Sequence, residues 1–346
     1  MTIDFLLMSF LTNKHIQIII LTTDIMTDHM NVVKLEQIPN MDNPEIKVVD
    51  DYKMNVPKHL PQGFFSLLSV GSSGSGKTNA TLNLIKRLKP YYNRYVLISP
   101  TGCYDEERQQ RAEKKYDQLN IEFDEEHSCY HRGLIGDIIE RQRKCLIEYE
   151  EWKKYKDIYA RFMQFLRRHR VRIAAGDDML WKFKDLDTLL RYDFCEPNDD
   201  AYFPTQIVPT AMLIIDDMAS TPIYTNALGE LINLQMKNRH LKMSVFNLVQ
   251  AYKLCPRSIR LNSSVMMLFP CKSDKMIKEF AETCNNQYTP EEFLKLFEYA
   301  TKNKPYDFLY IDSREPKGFR KNFNERLDIR NGEAEKSDVP KTDDLK

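Results

Sequence analysis

Eight residues, GSSGSGKT at positions 71–78, have the types and spacing of a phosphate-binding loop. They fit the pattern G-x-x-x-x-G-K-[ST] without a mismatch. The three glycines lack the Cβ atoms that would keep backbone N–H groups from converging on a phosphate. The lysine can neutralise charge on the β- and γ-phosphates, and the threonine hydroxyl can bind Mg²⁺. The predicted nucleotide-binding residues are Gly71, Ser72, Ser73, Gly74, Ser75, Gly76, Lys77 and Thr78.

A second group of polar residues follows apolar runs further along the chain. The run 211–217, AMLIIDD, ends in two carboxylates. We predict that Asp216 binds the metal and that Asp217 orients or deprotonates the attacking water. Gln250 follows the predicted strand 244–249 and can hydrogen-bond the γ-phosphate or that water. This interpretation places the acid-bearing strand beside the strand of the loop, with Gln250 one sheet position further along.

The elements that must position these residues alternate between strand and helix. Apolar runs predict strands at 64–70 and 95–99, then at 211–217, 244–249 and 265–269, with 308–311 as the last. Helical periodicity covers 77–88, 222–236, 274–283 and 290–300, the last opened by a capping box at Thr289 and Glu292. The fold class is therefore α/β, with a mostly parallel central sheet flanked by helices.

The chain divides into one long domain and two peripheral segments. Its 346 residues carry 50 basic and 50 acidic side chains. We predict a P-loop ATPase domain at 46–330 that contains a charged helical insertion at about 105–209. Residues 1–45 form a peripheral N-terminal extension, and 331–346 lack any apolar face and form a disordered tail. The apolar runs near the N-terminus are too short for a transmembrane helix, so no membrane partner is expected.

One stretch of the insertion, 132–172, carries an aromatic stripe and a basic excess. Rings recur at three- and four-residue steps, at Tyr149, Trp152, Tyr155, Tyr159, Phe162 and Phe165. They can pack on the domain or on a neighbouring subunit, or they can stack on bases. Residues 132–172 include twelve basic against six acidic side chains, which suits either a phosphate backbone or a solvated helix face. A further stretch, 231–273, has seven basic residues and no acidic ones.

Other sequence patterns argue against a disulfide framework, a tetrahedral metal site and GTP binding. Seven scattered cysteines without a C-x-x-C pair suit a reducing compartment. The segment HSCYH at 127–131 lacks the matching pair that a tetrahedral metal site needs. CKSD at 271–274 and NKPYD at 303–307 both fail the guanine-reading pattern N-K-x-D. ATP is therefore favoured over GTP, with Mg²⁺ as its metal.

The order of these parts resembles the FtsK/HerA superfamily of ATP-driven DNA pumps. It is most similar to the genome-packaging ATPases of poxvirus-like giant viruses and virophages. The resemblance covers about residues 64–269 and rests on GSSGSGKT, on LIIDD and on the run 238–269. In that run a basic residue, Arg239, precedes the strand that ends at Gln250, and Asn262 precedes the next strand.

The resemblance implies a RecA-like core that forms a ring, usually a hexamer, around double-stranded DNA. It implies Arg239 as a catalytic finger that acts on the nucleotide of a neighbouring subunit, with Arg257 and Arg260 as alternatives. It also implies capsid or portal-type viral proteins as partners, and a location in the virion or in the cytoplasm and viral factory of a host cell. The insertion is larger than the family requires.

Three functions are compatible with the sequence. The first is an ATP-hydrolysing motor that translocates double-stranded DNA, most simply into a viral capsid. The second is a nucleotide-binding assembly switch or scaffold without translocation. The third, a small-molecule kinase, would use arginines of the insertion, Arg167, Arg168 and Arg170, as a lid. Asp217 and Gln250 suit water as the nucleophile and favour the first.

Overall fold

A central β-sheet organises the domain, and its strand order determines which side chains can meet. The computed structural model describes residues 54–99, 114, 116–123, 133–219, 221–225, 229–271, 274–284, 288–302, 304, 306–315, 318–330 and 333–336. The predicted extension at 1–45 lies outside these residues. The strands are β1 (Ser66–Val70), β2 (Arg94–Ile98), β3 (Ala211–Asp216), β4 (Met243–Val249), β5 (Val265–Leu268), β6 (Leu309–Asp312), β7 (Phe319–Lys321), β8 (Glu325–Arg330) and β9 (Glu333–Lys336).

Five parallel strands form the centre, in the order β2-β3-β4-β1-β5. The predicted parallel α/β sheet is therefore present. Our expectation that the acid-bearing strand lies beside the loop strand is wrong, because β4 lies between β3 and β1. With neighbouring strands about 4.8 Å apart, β3 ends about 10 Å from β1. The strand that ends at Gln250 is the direct neighbour of the loop strand.

An antiparallel extension, β6-β7-β8-β9, continues the sheet beyond β5. We predicted that the run at 308–311 is the last strand. This is wrong, because three more strands follow it. The expected disordered tail at 331–346 also contains β9, which pairs with β8. An edge strand is held by backbone hydrogen bonds to its neighbour, so it can form without the apolar face whose absence predicted disorder.

Helices cover both faces of the sheet. They are α1 (Lys77–Leu88), α2 (Leu134–Ala174), α3 (Leu186–Arg191), α4 (Pro222–Thr225), α5 (Glu230–Lys237), α6 (Arg257–Asn262), α7 (Asp274–Cys284) and α8 (Pro290–Thr301). The predicted helix 222–236 is divided into α4 and α5, with residues 226–228 outside the description. The predicted capping box of α8 is present. No helix in the described ranges has both the length and the apolar content needed to cross a bilayer.

The alternation of side chains along the strands divides the core between the two faces. In β1, Leu68 and Val70 pack in the cluster under α5, α7 and α8, whereas Leu67 packs in the cluster under α1. The central strands are buried along their full length, which explains why they read as continuous apolar runs.

The insertion is built on α2, whose 41 residues make it about 60 Å long. Its first turns belong to the main core, where the buried Gln142 Nε2 donates to the carbonyls of Pro209 and Leu241. Further along, Tyr155 and Phe162 pack with Leu189 and Phe203 in a separate small core. The aromatic stripe thus packs within the chain, in agreement with the first of the two interpretations, and Tyr155 is only 1% exposed.

We predict that Tyr155→Ala unfolds the small core of the insertion but leaves the sheet intact. The change removes a buried ring and its 2.7 Å hydrogen bond to the Cys195 carbonyl, a loss of about 3 kcal/mol or more. Hydrogen exchange should accelerate across 152–203 and remain slow in β1 and β4. Met163→Ala, at a partly exposed position of the same helix, is the control and should change neither region. Equal loss of protection in the sheet would contradict two separate cores.

Candidate nucleotide-binding site

The loop at 71–78 joins the end of β1 to the start of α1 in the conformation that its glycines predict. Gly71 N donates to the Val249 carbonyl over 3.2 Å, which continues the pairing of β1 with β4. Gly74 and Gly76 have φ of 76° and 92°, in the left-handed region that residues with a Cβ rarely adopt. Gly76 caps α1, so the free N–H groups of the first helical turn point into the loop.

Gly71 is required for a different reason, the close approach of its neighbours. A Cβ at this position would lie 2.5 Å from Ser75 Oγ and 2.7 Å from Phe269 Cβ. The serine hydroxyl could rotate away, but Phe269 Cβ is fixed because Phe269 N donates to the Val70 carbonyl over 2.9 Å. The loop therefore depends on β5 as well as on β1.

Lys77, the first residue of α1, extends back into the loop. Its Nζ donates to the carbonyl of Gly71 and, over 3.2 Å, to that of Ser72. Burial lowers the pKa of Lys77, and the nearby carboxylates of Asp217 and Asp216 act in the opposite direction. The ammonium is thus positioned by loop carbonyls in a cleft whose opposite wall is acidic.

Asp216 ends β3 and is buried, at 5% exposure. Tyr116, from a short segment before the insertion helix, donates its hydroxyl to Asp216 Oδ2 over 3.3 Å. Burial and the adjacent carboxylate raise the pKa of Tyr116 well above its ordinary value, so the hydroxyl keeps its proton and can donate it. This bond fixes one oxygen of Asp216.

Asp217 leaves the strand in a left-handed turn, with φ of 60°. Its N–H still donates to the Leu248 carbonyl over 3.0 Å, so β4 holds the turn in place. Gln250, beyond the end of β4, donates its Nε2 to Asp217 Oδ2. A non-glycine residue in this conformation destabilises the fold by about 1–3 kcal/mol, and residues strained in this way cluster at functional sites.

These groups share one cleft of about 370 Å³, lined by residues 72–79 together with Asp216, Asp217, Gln250 and Tyr306. The structure thus brings the predicted loop, metal-binding and water-orienting residues together. Thr78 and the two aspartates offer only oxygen ligands, the donor set that Mg²⁺ prefers, so these residues fit that ion.

Arg239 does not belong to this cleft. It is exposed at the opposite edge of the sheet, in a separate cavity of about 320 Å³ that also contains Ser66, Asn262 and Ser264. The strand β4 between the two edges has seven residues and spans about 20 Å. Of the alternatives, Arg260 lies 4.4 Å from the ring centre of Tyr252, and Arg257 is exposed at the start of α6.

Sequence reasoning missed two residues of the site, Tyr116 and Tyr306. Neither follows a predicted strand, and their proximity to the loop depends on tertiary packing. One signal was available for Tyr306, since it belongs to the NKPYD segment that we rejected as a guanine-reading motif. Of the other two rejected motifs, HSCYH at 127–131 lies entirely outside the described residues, as do residues 272–273 of CKSD.

The sheet order and the glycine loop define a P-loop NTPase fold. Among solved structures the chain is similar to the genome packaging NTPase B204 from Sulfolobus turreted icosahedral virus 2 in complex with sulfate. The two are 14% identical with a TM-score of 0.39, and the match covers 73% of this chain and 93% of that chain.

Two further solved structures show the same kind of similarity. The pCW3 conjugation coupling protein TcpA, with ATPγS, is 14% identical with a TM-score of 0.32, over 72% of this chain and 57% of that chain. EssC (ATPases 2 and 3) from Geobacillus thermodenitrificans is 11% identical with a TM-score of 0.36, over 72% and 37%. No protein family model and no curated protein matches the chain.

We predict that Gly71→Ala both destabilises the protein and weakens binding of an ATP analogue at least tenfold. The new methyl group would overlap Phe269 Cβ, which cannot move without β5. Thermal unfolding and calorimetric titration measure the two effects.

Gly136→Ala is the matched control. Its Cβ would lie 2.9 Å from Glu230 Oε1, at the end of a side chain whose Oε2 accepts a 3.0 Å hydrogen bond from Gly136 N–H, and the site lies within α2, where alanine is favoured. Its melting temperature should fall less than that of Gly71→Ala, with unchanged affinity. Normal affinity in Gly71→Ala would show that the contact with Phe269 does not shape the loop.

Proposed function

We propose that this protein is a Mg²⁺-dependent ATPase. The observation that supports this most directly is the single cleft that contains Lys77, Asp216, Asp217 and Gln250. These residues come from three separate segments of the sequence and provide a cation, two carboxylates and an amide around a phosphate loop. That set is suited to transfer of a phosphoryl group to water.

Each residue has a distinct role in the proposed reaction. The loop N–H groups and Lys77 bind the β- and γ-phosphates, and Thr78 with Asp216 would hold Mg²⁺, which neutralises phosphate charge when bound. Asp217 accepts the proton of the attacking water or orients it. Gln250 fixes the Asp217 carboxylate by its hydrogen bond and would respond when the γ-phosphate departs.

We further propose that hydrolysis drives translocation of double-stranded DNA, with packaging of a viral genome into a capsid as the preferred process. The basic character of 231–273, and of 132–172 within the insertion, supports contact with a polyanion. A hexameric ring and docking to capsid or portal-type proteins, in a virion or in the cytoplasm and viral factory of a host cell, complete this proposal. The alternative, a nucleotide-dependent assembly switch, predicts turnover that DNA does not change.

The position of Arg239 supports a reaction shared between subunits. It is about 20 Å from the cleft of its own chain, so its guanidinium can reach only the nucleotide of another copy. A head-to-tail contact would place this arginine against the γ-phosphate of the neighbour, where it would stabilise charge in the transition state.

We predict that Lys77→Ala and Asp217→Asn both abolish ATP hydrolysis for different reasons. Lys77→Ala removes the cation that binds the phosphates and should lose nucleotide binding. Asp217→Asn keeps the shape of the side chain and should bind ATP with near-normal affinity while turnover falls at least 100-fold. Steady-state hydrolysis with and without duplex DNA, together with ATP binding, measures both. If the wild type hydrolyses ATP no faster than these variants under any condition, the proposed activity is wrong.

We predict that Arg239→Ala is inactive alone but regains activity when mixed with Lys77→Ala. In a mixed ring, an intact arginine from the Lys77→Ala subunit can complete the cleft of an Arg239→Ala neighbour. Hydrolysis measured across mixing ratios should rise above both pure variants and peak at an intermediate ratio. Arg257→Ala tests the alternative finger and should keep full activity when it is the only variant present. Full activity of pure Arg239→Ala would remove this residue from the reaction.

A further inference from the structure

The antiparallel strand β6 brings a tyrosine to the nucleotide cleft. Leu309, the first residue of β6, pairs with Leu268, the last residue of β5, so β6 begins at the edge of the sheet where the loop lies. Tyr306 precedes β6 by three residues and lines the same cleft as the loop. Its ring atom Cδ1 lies 3.0 Å from where a Cβ on Gly76 would be placed, so the ring packs directly on the loop backbone.

The ring is exposed, yet its backbone is fixed. Tyr306 is 63% exposed, a large aromatic surface open to the cleft. The next residue, Asp307, is buried and forms a 3.1 Å ion pair with Lys321. Asp307 also accepts a 3.0 Å hydrogen bond from Asn322, and Asn322 N–H donates to the Phe308 carbonyl over 2.9 Å. The chain therefore presents Tyr306 from a well-anchored turn.

The strand order determines which way a nucleotide would lie in the cleft. Asp216, Asp217 and Gln250 lie at the ends of β3 and β4, on one side of the loop strand β1. Tyr306 lies at the start of β6, on the other side, beyond β5. The γ-phosphate must face the carboxylates for hydrolysis, so the nucleoside end of the substrate extends toward β6 and Tyr306.

We propose that Tyr306 is the platform on which the nucleotide base stacks, and that this contact does not distinguish adenine from guanine. The inference rests on the proposed ATPase function and adds to it the subsite for the base. Every base has an aromatic face, so stacking on a ring tolerates any purine. Asp307 is the acidic residue nearest to Tyr306 in sequence. Its carboxylate is bound by Lys321 and Asn322 and is therefore not available to hydrogen-bond the edge of a base.

The decisive experiment compares ligands with and without a base. Calorimetric titration of the full chain uses non-hydrolysable analogues of ATP and GTP, and inorganic tripolyphosphate as the ligand without a base. Tyr306→Ala should weaken both nucleotide analogues by about 10- to 100-fold and by equal factors. Tripolyphosphate affinity should change less than twofold, and Tyr306→Phe, which keeps the ring, should behave as wild type. Trp181→Ala, an exposed ring of the insertion, should change none of these affinities.

The results that would contradict the base platform differ from the result that would contradict the proposed nucleotide function. If Tyr306→Ala weakens tripolyphosphate as strongly as the nucleotides, the ring only supports the loop at Gly76, and the base platform is wrong. Unchanged nucleotide affinity, or loss confined to one purine, would also overturn the inference. A wild-type protein that binds none of the three ligands would instead contradict the proposed nucleotide function itself.

Discussion

The backbone register of three parallel strands, β3, β4 and β1, is the constraint on which the site depends. Two hydrogen bonds extend this register beyond the strands, from Asp217 N to the Leu248 carbonyl and from Gly71 N to the Val249 carbonyl. The first fixes the acidic turn against β4, and the second fixes the loop against the same strand. A shift of one residue would turn the side chains at the strand ends to the other face and separate the acids from Lys77.

The sequence was most informative where chemistry depends on neighbours along the chain. The loop, its glycines, the start of α1 and the acid pair that ends β3 could all be predicted, because each follows from local spacing. The position of β4 between β3 and β1 could not, since strand order is decided by packing of apolar runs that look alike in sequence. Three short strands after β6 were missed for a related reason, since they form an antiparallel edge with mixed polar residues and have little hydrophobic periodicity.

The insertion illustrates how an aromatic stripe can be interpreted only after its surroundings are known. Rings at helical spacing predict a face that packs, but not the surface that covers it. In the structure α3 and the segment up to Phe203 supply that surface, and Trp152 Nε1 and Tyr155 Oη donate to carbonyls of this segment at 2.8 and 2.7 Å. Polar ring atoms satisfied in this way stabilise a closed local core, and the buried ring of Tyr155 is unavailable for stacking on bases.

The two edges of the sheet determine which assemblies can use both of its polar cavities. The nucleotide cleft lies at the carboxyl edge and Arg239 at the amino edge, about 20 Å apart along β4. In a two-fold dimer residue i of one copy contacts residue j of the other and the reverse, so a dimer completes both clefts only if its single interface covers both edges of each sheet. A head-to-tail contact brings one edge of a sheet against the opposite edge of the next at every interface, and it either closes into a ring or continues as a filament. If Arg239 completes a neighbouring cleft as proposed, every subunit of a closed ring has a complete site, whereas an open chain leaves one cleft without its arginine.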